Sequence, residues 1–265
     1  MKIQVDTIQP KEAVLSIHDS EIYLINSIRR IMLSELPKLA IENIVIYDNT
    51  SALFDEIIGH RIGLIPIPTD ISLLNFREEC SCNGTGCPSC TVRYTLSKEG
   101  EGRVTSGDLQ PSEESWKIKE DKIPIVDLYN DQRLILEVEA VLGLGKNHAK
   151  WISVISPGYR FIPTITFDEK RKKEVEEFIS ELPDGLVAMK KNTLELSDIK
   201  KLPILESHIN KDKVNFIHVD LNNKYIQFHF ETDGSLDASV ALTQSLQIFE
   251  DKINEFADHI KTLKK

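Results

Sequence analysis

The 265-residue chain has 41% hydrophobic and 28% charged residues, which is typical of a globular protein of about two domains. Its 42 acidic and 32 basic residues give a net charge of −10, which argues against direct neutralisation of DNA phosphates and favours basic protein partners. No stretch of about 18 apolar residues could span a membrane. The N-terminal residues lack the apolar core of a secretion signal, so we expect a cytoplasmic protein.

The N-terminal region is predicted to form a β-hairpin followed by an amphipathic helix. Apolar and polar residues alternate over 2–18, with a turn at Pro10. The helix can be capped by Asp19 or Ser20, and it must end before Pro37 because proline disfavours a helical conformation in the residue before it. Its apolar face contains four residues at helical spacing, namely Ile25, Ile28, Met32 and Leu36.

A strand and a second helix are predicted to follow. Residues 41–47 alternate as in a strand, and either Asn49 or Ser51 can cap the helix after it. The second apolar stripe consists of Leu53, Ile57, Ile58, Ile62 and Leu64. The notable polar residues on the two helices are Arg29, Arg30, His60 and Arg61. From the pattern alone, these are two core-packing helices with solvated cations.

The four cysteines of the chain lie within eleven residues, in the pattern C-x-C-x4-C-x2-C, as Cys80, Cys82, Cys87 and Cys90. Two disulfides are disfavoured in a reducing cytosol, and such close spacing would strain them. An iron–sulfur cluster usually has a different spacing. A structural Zn²⁺ bound by four thiolates fits best, and it would leave no coordination position open for catalysis.

The next region is predicted to be mostly antiparallel β structure. Strands are expected at 91–98, 123–129 and 133–145, with a polar loop over 100–122. The segment LGLGKNHAKWISV, residues 142–154, ends this region. It lacks the glycine spacing and the Ser or Thr of a phosphate-binding P-loop, so we reject that function.

Three segments together resemble one family: NSIRRIMLSELPKLAI, SALFDEIIGHRIGLIPI and LGLGKNHAKWISV. They are similar to the alpha-like subunits of archaeal DNA-dependent RNA polymerase. The family includes the third-largest subunit of eukaryotic RNA polymerase II and the N-terminal domain of bacterial alpha. The resemblance implies an α+β fold with a discontinuous dimerisation domain at 1–48, 155–167 and 216–265. It also implies an inserted, mostly antiparallel β domain at 49–154, whose zinc loop spans 80–90.

The resemblance also implies a surface that docks the second-largest polymerase subunit. This surface would consist of Arg29, Arg30, His60, Arg61, Gly145, Lys146, His148, Lys150 and Trp151. Glycines allow the backbone to approach a partner closely, and cations around one large aromatic side chain are typical of an interface hot spot. Relatives commonly have proline where this chain has Ser153, so the turn is expected to be less rigid here.

Residues 168–215 occupy the place where many archaeal relatives carry a ferredoxin-like insert, which in its cluster-bearing versions has a cysteine just before a Pro-x-Gly turn. No cysteine follows Cys90, so we expect an insert without a cluster. Apolar packing would then hold it together, through Phe178, Ile179, Leu186, Val187, Leu194, Ile204, Leu205 and Phe216.

The C-terminal helix has a heptad seam, in which apolar residues alternate at steps of four and three from Leu242 to Leu263. Such a seam is suited to packing against another chain. The family resemblance implies a heterodimer with subunit L, rather than a homodimer, through this seam and the first helix. The expected interface residues are Ile25, Ile28, Met32, Leu242, Leu246, Phe249, Ile253, Phe256 and Ile260.

The sequence therefore predicts a non-catalytic assembly subunit of RNA polymerase, with subunits L, N, P and the second-largest subunit as partners and no direct grip on DNA. The alternative is a stand-alone zinc-binding or redox protein that uses the four cysteines. A zinc hydrolase of the deaminase type would need a His-x-Glu at the metal and an open coordination position.

Overall fold

The computed structural model describes residues 1–263, without the side chain of Leu263. The helices are α1 (Ile22–Ser34), α2 (Asp55–Gly63), α3 (Lys172–Glu181), α4 (Leu202–Lys211) and α5 (Ala238–Leu263). The strands are β1 (Lys2–Gln9), β2 (Glu12–His18), β3 (Pro37–Asn49), β4 (Thr91–Glu99), β5 (Gly102–Thr105), β6 (Gln110–Pro111), β7 (Pro124–Leu128), β8 (Arg133–Leu144), β9 (Val154–Phe167), β10 (Val187–Lys190), β11 (Thr193–Leu196) and β12 (Ile217–Thr232). The fold is α+β.

The strands form three sheets. The largest has the order β1-β2-β12-β9-β11-β10, the second has the order β3-β8-β4-β6, and β5 pairs with β7 alone. The contacts divide the chain into two compact units. One unit contains residues 1–4, 15–25 and 159–228, and the other contains residues 5–14, 26–158 and 229 onward. These divisions do not follow the domain bounds expected from the sequence, which remain a prediction.

The larger unit contains the four-stranded sheet and its core. β3 pairs antiparallel with β8 from Pro37–Leu144 to Asn49–Leu134, and β4 pairs with the other edge of β8. α2 packs its Ile58 and Ile62 side chains into this core, where both are fully buried. β8 lies between β3 and β4, and the loop that leads to β9 follows directly at its end.

The smaller unit contains the element order β9-α3-β10-β11-α4-β12, which is the βαββαβ order of ferredoxin-like folds. β10 and β11 form a hairpin, and β11 pairs antiparallel with β9 at Ile165. The core of this unit is apolar and includes Phe178, Leu186, Leu194, Leu205 and Phe216. Ile179 and Val187 pack against that core. Ile204 was predicted to belong to the core, but its side chain is exposed.

Several local predictions were wrong. α1 ends at Ser34, so Leu36 is buried beyond the helix rather than on its face. The buried hydroxyl of Ser20 has no hydrogen-bond partner within residues 1–263, so it does not cap α1.

The start of α2 and the polar loop also differ from prediction. The cap position of α2 is Phe54, which makes no side-chain cap. Asn49 instead builds the preceding turn, because its side chain donates to the Leu53 carbonyl at 2.9 Å and to Asp55 at 2.7 Å. The predicted polar loop at 100–122 contains the short strands β5 and β6.

No helix among the described residues is long and apolar enough to cross a membrane.

Candidate metal centre and assembly surfaces

The four cysteine sulfurs converge in the loop between α2 and β4. All four Sγ atoms lie within 4.8 Å of one another, and all four cysteines are free thiols. The Sγ separations are 3.5 Å for Cys80–Cys87, 3.6 Å for Cys82–Cys90 and 3.9 Å for Cys87–Cys90. A tetrahedron with metal–sulfur bonds of about 2.3 Å has edges of about 3.8 Å, so the sulfurs are spaced for Zn²⁺.

Tight turns of the backbone bring the sulfurs together. Asn83 N–H donates to the Cys80 carbonyl at 3.0 Å, and Cys90 N–H donates to the Cys87 carbonyl at 3.0 Å. Gly84 and Gly86 have φ values of +80° and +89°, a conformation that residues with a Cβ rarely adopt. The glycines within the cysteine motif are therefore required by its geometry.

The loop favours thiolates at two of its four cysteines. A hydrogen bond from the Gly86 backbone N–H lowers the pKa of Cys82 to about 5. The neighbouring Cys80 thiol and the Ser89 backbone likewise lower the pKa of Cys87. A backbone hydrogen bond from Cys82 lowers the pKa of Cys80, but its side-chain hydrogen bond with Cys87 and its burial outweigh this and raise the pKa to about 11. Thiolates are the form that binds a metal, so Cys82 and Cys87 together with the spacing of all four sulfurs fit a zinc site. Four cysteine ligands would close the coordination sphere, so the metal would hold the loop rather than catalyse.

Metal removal is the prediction that tests this site. A chelator should raise the amide exchange rate of Asn83, Thr85 and Cys90 more than tenfold. The reason is that zinc binding, about 10–16 kcal/mol in finger peptides, is folding free energy for such a loop. Hydrogen exchange with mass spectrometry measures this, and amides of β8 serve as the internal control. Unchanged exchange after confirmed metal loss would contradict a structural role.

The sequence contains one His-x-Glu of the kind that a zinc hydrolase needs, at His229-Phe230-Glu231. It lies on β12, and the ring of His229 packs against Gly158, since a Cβ at that glycine would lie 2.9 Å from His229 Cε1. The metal-ligating group found among the described residues contains the four cysteines alone. The four-cysteine group therefore lacks the His-x-Glu that a zinc hydrolase needs at its metal.

The loop between β8 and β9 is held tightly against the rest of its unit. A Cβ at Gly143 would lie 2.2 Å from the Trp151 ring, and a Cβ at Gly145 would lie 2.1 Å from the Leu33 carbonyl of α1. Lys146 N–H donates to the Ser34 carbonyl at 3.0 Å. Both glycines are therefore needed for close packing inside the chain.

Lys150 and Trp151 also make contacts within the chain. Lys150 Nζ donates to the Ile41 carbonyl at 2.9 Å, pairs with Glu42, and lies 4.5 Å from the centre of the Trp151 ring. Trp151 Nε1 donates to the Val141 carbonyl at 3.2 Å. These two predicted docking residues fix the loop, whereas Lys146 and His148 are exposed at its tip.

The predicted apolar stripe of α2 divides between two faces, because Ile58 and Ile62 are buried whereas Ile57 and Leu64 belong to an exposed apolar outer face. Phe54, Ile57 and Leu64 are exposed, and their spacing places them on one side of the helix. His60 and Arg61 are exposed beside them, and Arg61 Nη1 donates to the Ile125 carbonyl at 2.7 Å. On α1, Arg30 is exposed while Arg29 donates to Asn26 at 3.0 Å.

The predicted seam residues of α5 form an exposed apolar stripe. Leu246, Ile253, Phe256 and Ile260 are 45%, 51%, 67% and 38% exposed, and Leu242 and Phe249 are half-buried. The side chain at the last seam position, 263, lies outside the described residues. A groove of about 340 Å³ lies between the stripe and α1, with Ile31, Glu35, Phe249 and Ile253 among its lining residues. Lys252 pairs with Glu35 across it at 2.8 Å.

The predicted interface residues of α1 behave differently. Ile25, Ile28 and Met32 are 2%, 8% and 1% exposed, so these side chains pack inside the chain and offer no area to a partner. Periodicity identified the apolar face of α1 correctly but could not decide what covers it.

Comparison with known proteins identifies the family. A family model described as the RNA polymerase Rpb3/RpoA insert domain matches residues 41–162, which contain α2, the four cysteines and β8. The DNA-directed RNA polymerase subunit Rpo3 of Methanosphaera stadtmanae is 34% identical over 98% of this chain and 98% of its own length. The chain belongs to the Rpo3 family of archaeal RNA polymerase subunits.

Other Rpo3 proteins have a similar level of identity. That of Thermoplasma volcanium is 34% identical over 95% of this chain and 92% of its own length. That of Methanopyrus kandleri is 31% identical, with the same two coverages. The predicted alpha-like family is therefore confirmed, and a stand-alone redox or zinc protein is not favoured.

Proposed function

We propose that this Rpo3-family chain is a non-catalytic assembly subunit that forms a heterodimer with subunit L and then docks the second-largest polymerase subunit. The observation that carries the proposal is the exposed apolar stripe of α5. It places Leu246, Ile253, Phe256 and Ile260 in solvent, and burying one such side chain is worth about 1.5–3 kcal/mol. Subunit L would cover this stripe and the groove beside it.

The proposed pairing surface is smaller on α1 than the sequence suggested. The residues of α1 that face the groove are Ser27, Arg30 and Ser34, with Ile31 at its floor. The buried Ile25, Ile28 and Met32 would support this surface from beneath. Arg30 and the Lys252–Glu35 ion pair line the groove, and these charges would orient the partner rather than supply most of the affinity.

The docking of the second-largest subunit would use the outer face of α2 and the tip of the loop between β8 and β9. Phe54, Ile57 and Leu64 would be the apolar anchors, with His60 and Lys146 as polar contacts at the edge. Lys150 and Trp151 would hold the loop in shape for docking.

Zn²⁺ at the four cysteines would stabilise the same inserted region, and the small subunits N and P would complete the platform.

Co-expression tests the pairing. Produced alone, the chain should aggregate because its α5 stripe is uncovered. Produced with subunit L, it should be soluble and elute as a one-to-one heterodimer in size-exclusion chromatography with light scattering. A stable monomer at micromolar concentration, unaffected by subunit L, would contradict the proposal.

A further inference from the structure

The side chain of Arg77, which is not a metal ligand, connects the four-cysteine loop to the sheet. Arg77 precedes the first cysteine, and its Nε donates to the Gly84 carbonyl inside the loop at 2.9 Å. Its Nη1 donates to Glu139 of β8 at 3.3 Å. A single guanidinium therefore joins the loop to the central strand of the four-stranded sheet.

Arg77 also lies against the backbone that faces a sulfur. A Cβ at Gly86 would be 3.0 Å from Arg77 Nη2, so the guanidinium occupies the space beside that glycine. The N–H of Gly86 is the group that hydrogen-bonds Cys82. The contacts therefore lead from Glu139 to Arg77, from Arg77 to the Gly86 backbone, and from the Gly86 N–H to Cys82.

Glu139 is itself well fixed. It accepts hydrogen bonds from Arg93 at 3.0 and 3.2 Å and from Asn43 at 3.4 Å, in addition to Arg77. Partial burial would raise the pKa of Glu139, but hydrogen bonds from Arg93, Asn43 and Arg77 outweigh this and hold the pKa below its ordinary value. The carboxylate is therefore ionised at neutral pH and gives Arg77 a fixed anchor.

We propose that Arg77 is the positioning residue of the four-cysteine loop, and that its link to Glu139 sets how tightly the loop holds its metal. Groups that orient the ligands of a metal site often matter nearly as much as the ligands. Arginine suits this position because its planar fork holds separate nitrogens at fixed positions, one toward a carbonyl and one toward a carboxylate, whereas the donors of a lysine all lie on one nitrogen. The proposal rests on the metal assignment made above and is independent of the pairing with subunit L.

The test compares two arginines that share one carboxylate. Arg77→Met removes the link to the loop. Arg93→Met is the matched control, because Arg93 donates to the same Glu139 but makes no side-chain hydrogen bond to the cysteine loop in the described chain. Co²⁺ titration of the full-length chain, kept soluble by co-expression with subunit L, is read from thiolate-to-cobalt absorption and followed by competition with Zn²⁺, which gives the affinity for each variant.

Arg77→Met should weaken metal affinity by about 10- to 100-fold, as loss of such supporting groups generally does, and Arg93→Met should stay near wild type. Arg77→Lys keeps the aliphatic stem and the positive charge, so it is the variant that should fold even if Arg77→Met does not. It should still bind the metal less tightly than wild type. Equal weakening by Arg77→Met and Arg93→Met would overturn the proposal, as would wild-type affinity in Arg77→Lys. A wild-type chain that bound no Co²⁺ would overturn the metal assignment itself, together with this proposal.

Discussion

The double variant Ile253→Lys, Phe256→Lys is expected to lose heterodimer formation with subunit L. Both side chains lie in the exposed stripe of α5 and line the groove beside α1. Each contributes about 1.5–3 kcal/mol when buried, so losing two removes about 3–6 kcal/mol. Because every 1.4 kcal/mol is tenfold in affinity, the dissociation constant should rise by about 10²- to 10⁴-fold. Co-purification after co-expression, and dissociation of the heterodimer on dilution, measure this change.

The matched control places the same residue on another face of the same helix. Asp251→Lys introduces a lysine at an exposed position about half a turn of the helix away from Ile253. Pairing should survive this change, since no stripe residue is altered. If the double variant paired as tightly as wild type, or if Asp251→Lys disrupted pairing as strongly, the apolar stripe of α5 would not be the surface that subunit L covers.

The features that sequence predicted best are those set by local spacing. The four cysteines, the hairpin at the N-terminus and the seam of α5 each depend on residues that are close in sequence, and the structure brings each group together. The apolar residues predicted to hold the insert together likewise supply half of the buried core of the smaller unit, where Phe178 and Leu205 are buried together.

The features that sequence missed depend on distant partners. Lys150 has the composition of a docking cation, but its charge is paired with Glu42, which lies 108 positions earlier in the chain. Ile25 and Ile253 both sit on periodic apolar faces, yet the first is buried within the chain and the second is exposed. Periodicity shows that a face must be covered, and only the tertiary structure shows whether the chain covers it itself.

Lys38 is the clearest residue of this kind, because nothing in the sequence around it suggests a special role. It lies on β3, and its Nζ is 2.5 Å from Asp233, with side chains only 4% and 12% exposed. The same Nζ donates to the Ile152 carbonyl at 3.3 Å, and Asp233 N–H donates to the Ser153 carbonyl at 3.0 Å. One buried ion pair therefore fastens the end of the loop between β8 and β9.

Lys38→Met is expected to lower the free energy of unfolding by about 3–5 kcal/mol, since it leaves the Asp233 carboxylate buried without its partner. Adding Asp233→Asn should restore part of this loss because the uncompensated charge is removed. Lys11→Met breaks an exposed pair with Glu120 and should cost only about 0–1 kcal/mol. Urea denaturation of the wild type and the three variants, each co-purified with subunit L and compared at one fixed concentration, measures these differences. A double variant no more stable than Lys38→Met would show that burial of an unpaired charge is not the cause.

In the Lys38→Met protein, the backbone amides of residues 145–152 should also exchange faster with solvent. The reason is that the Lys38 ammonium donates both to Asp233 and to the Ile152 carbonyl at the end of this loop.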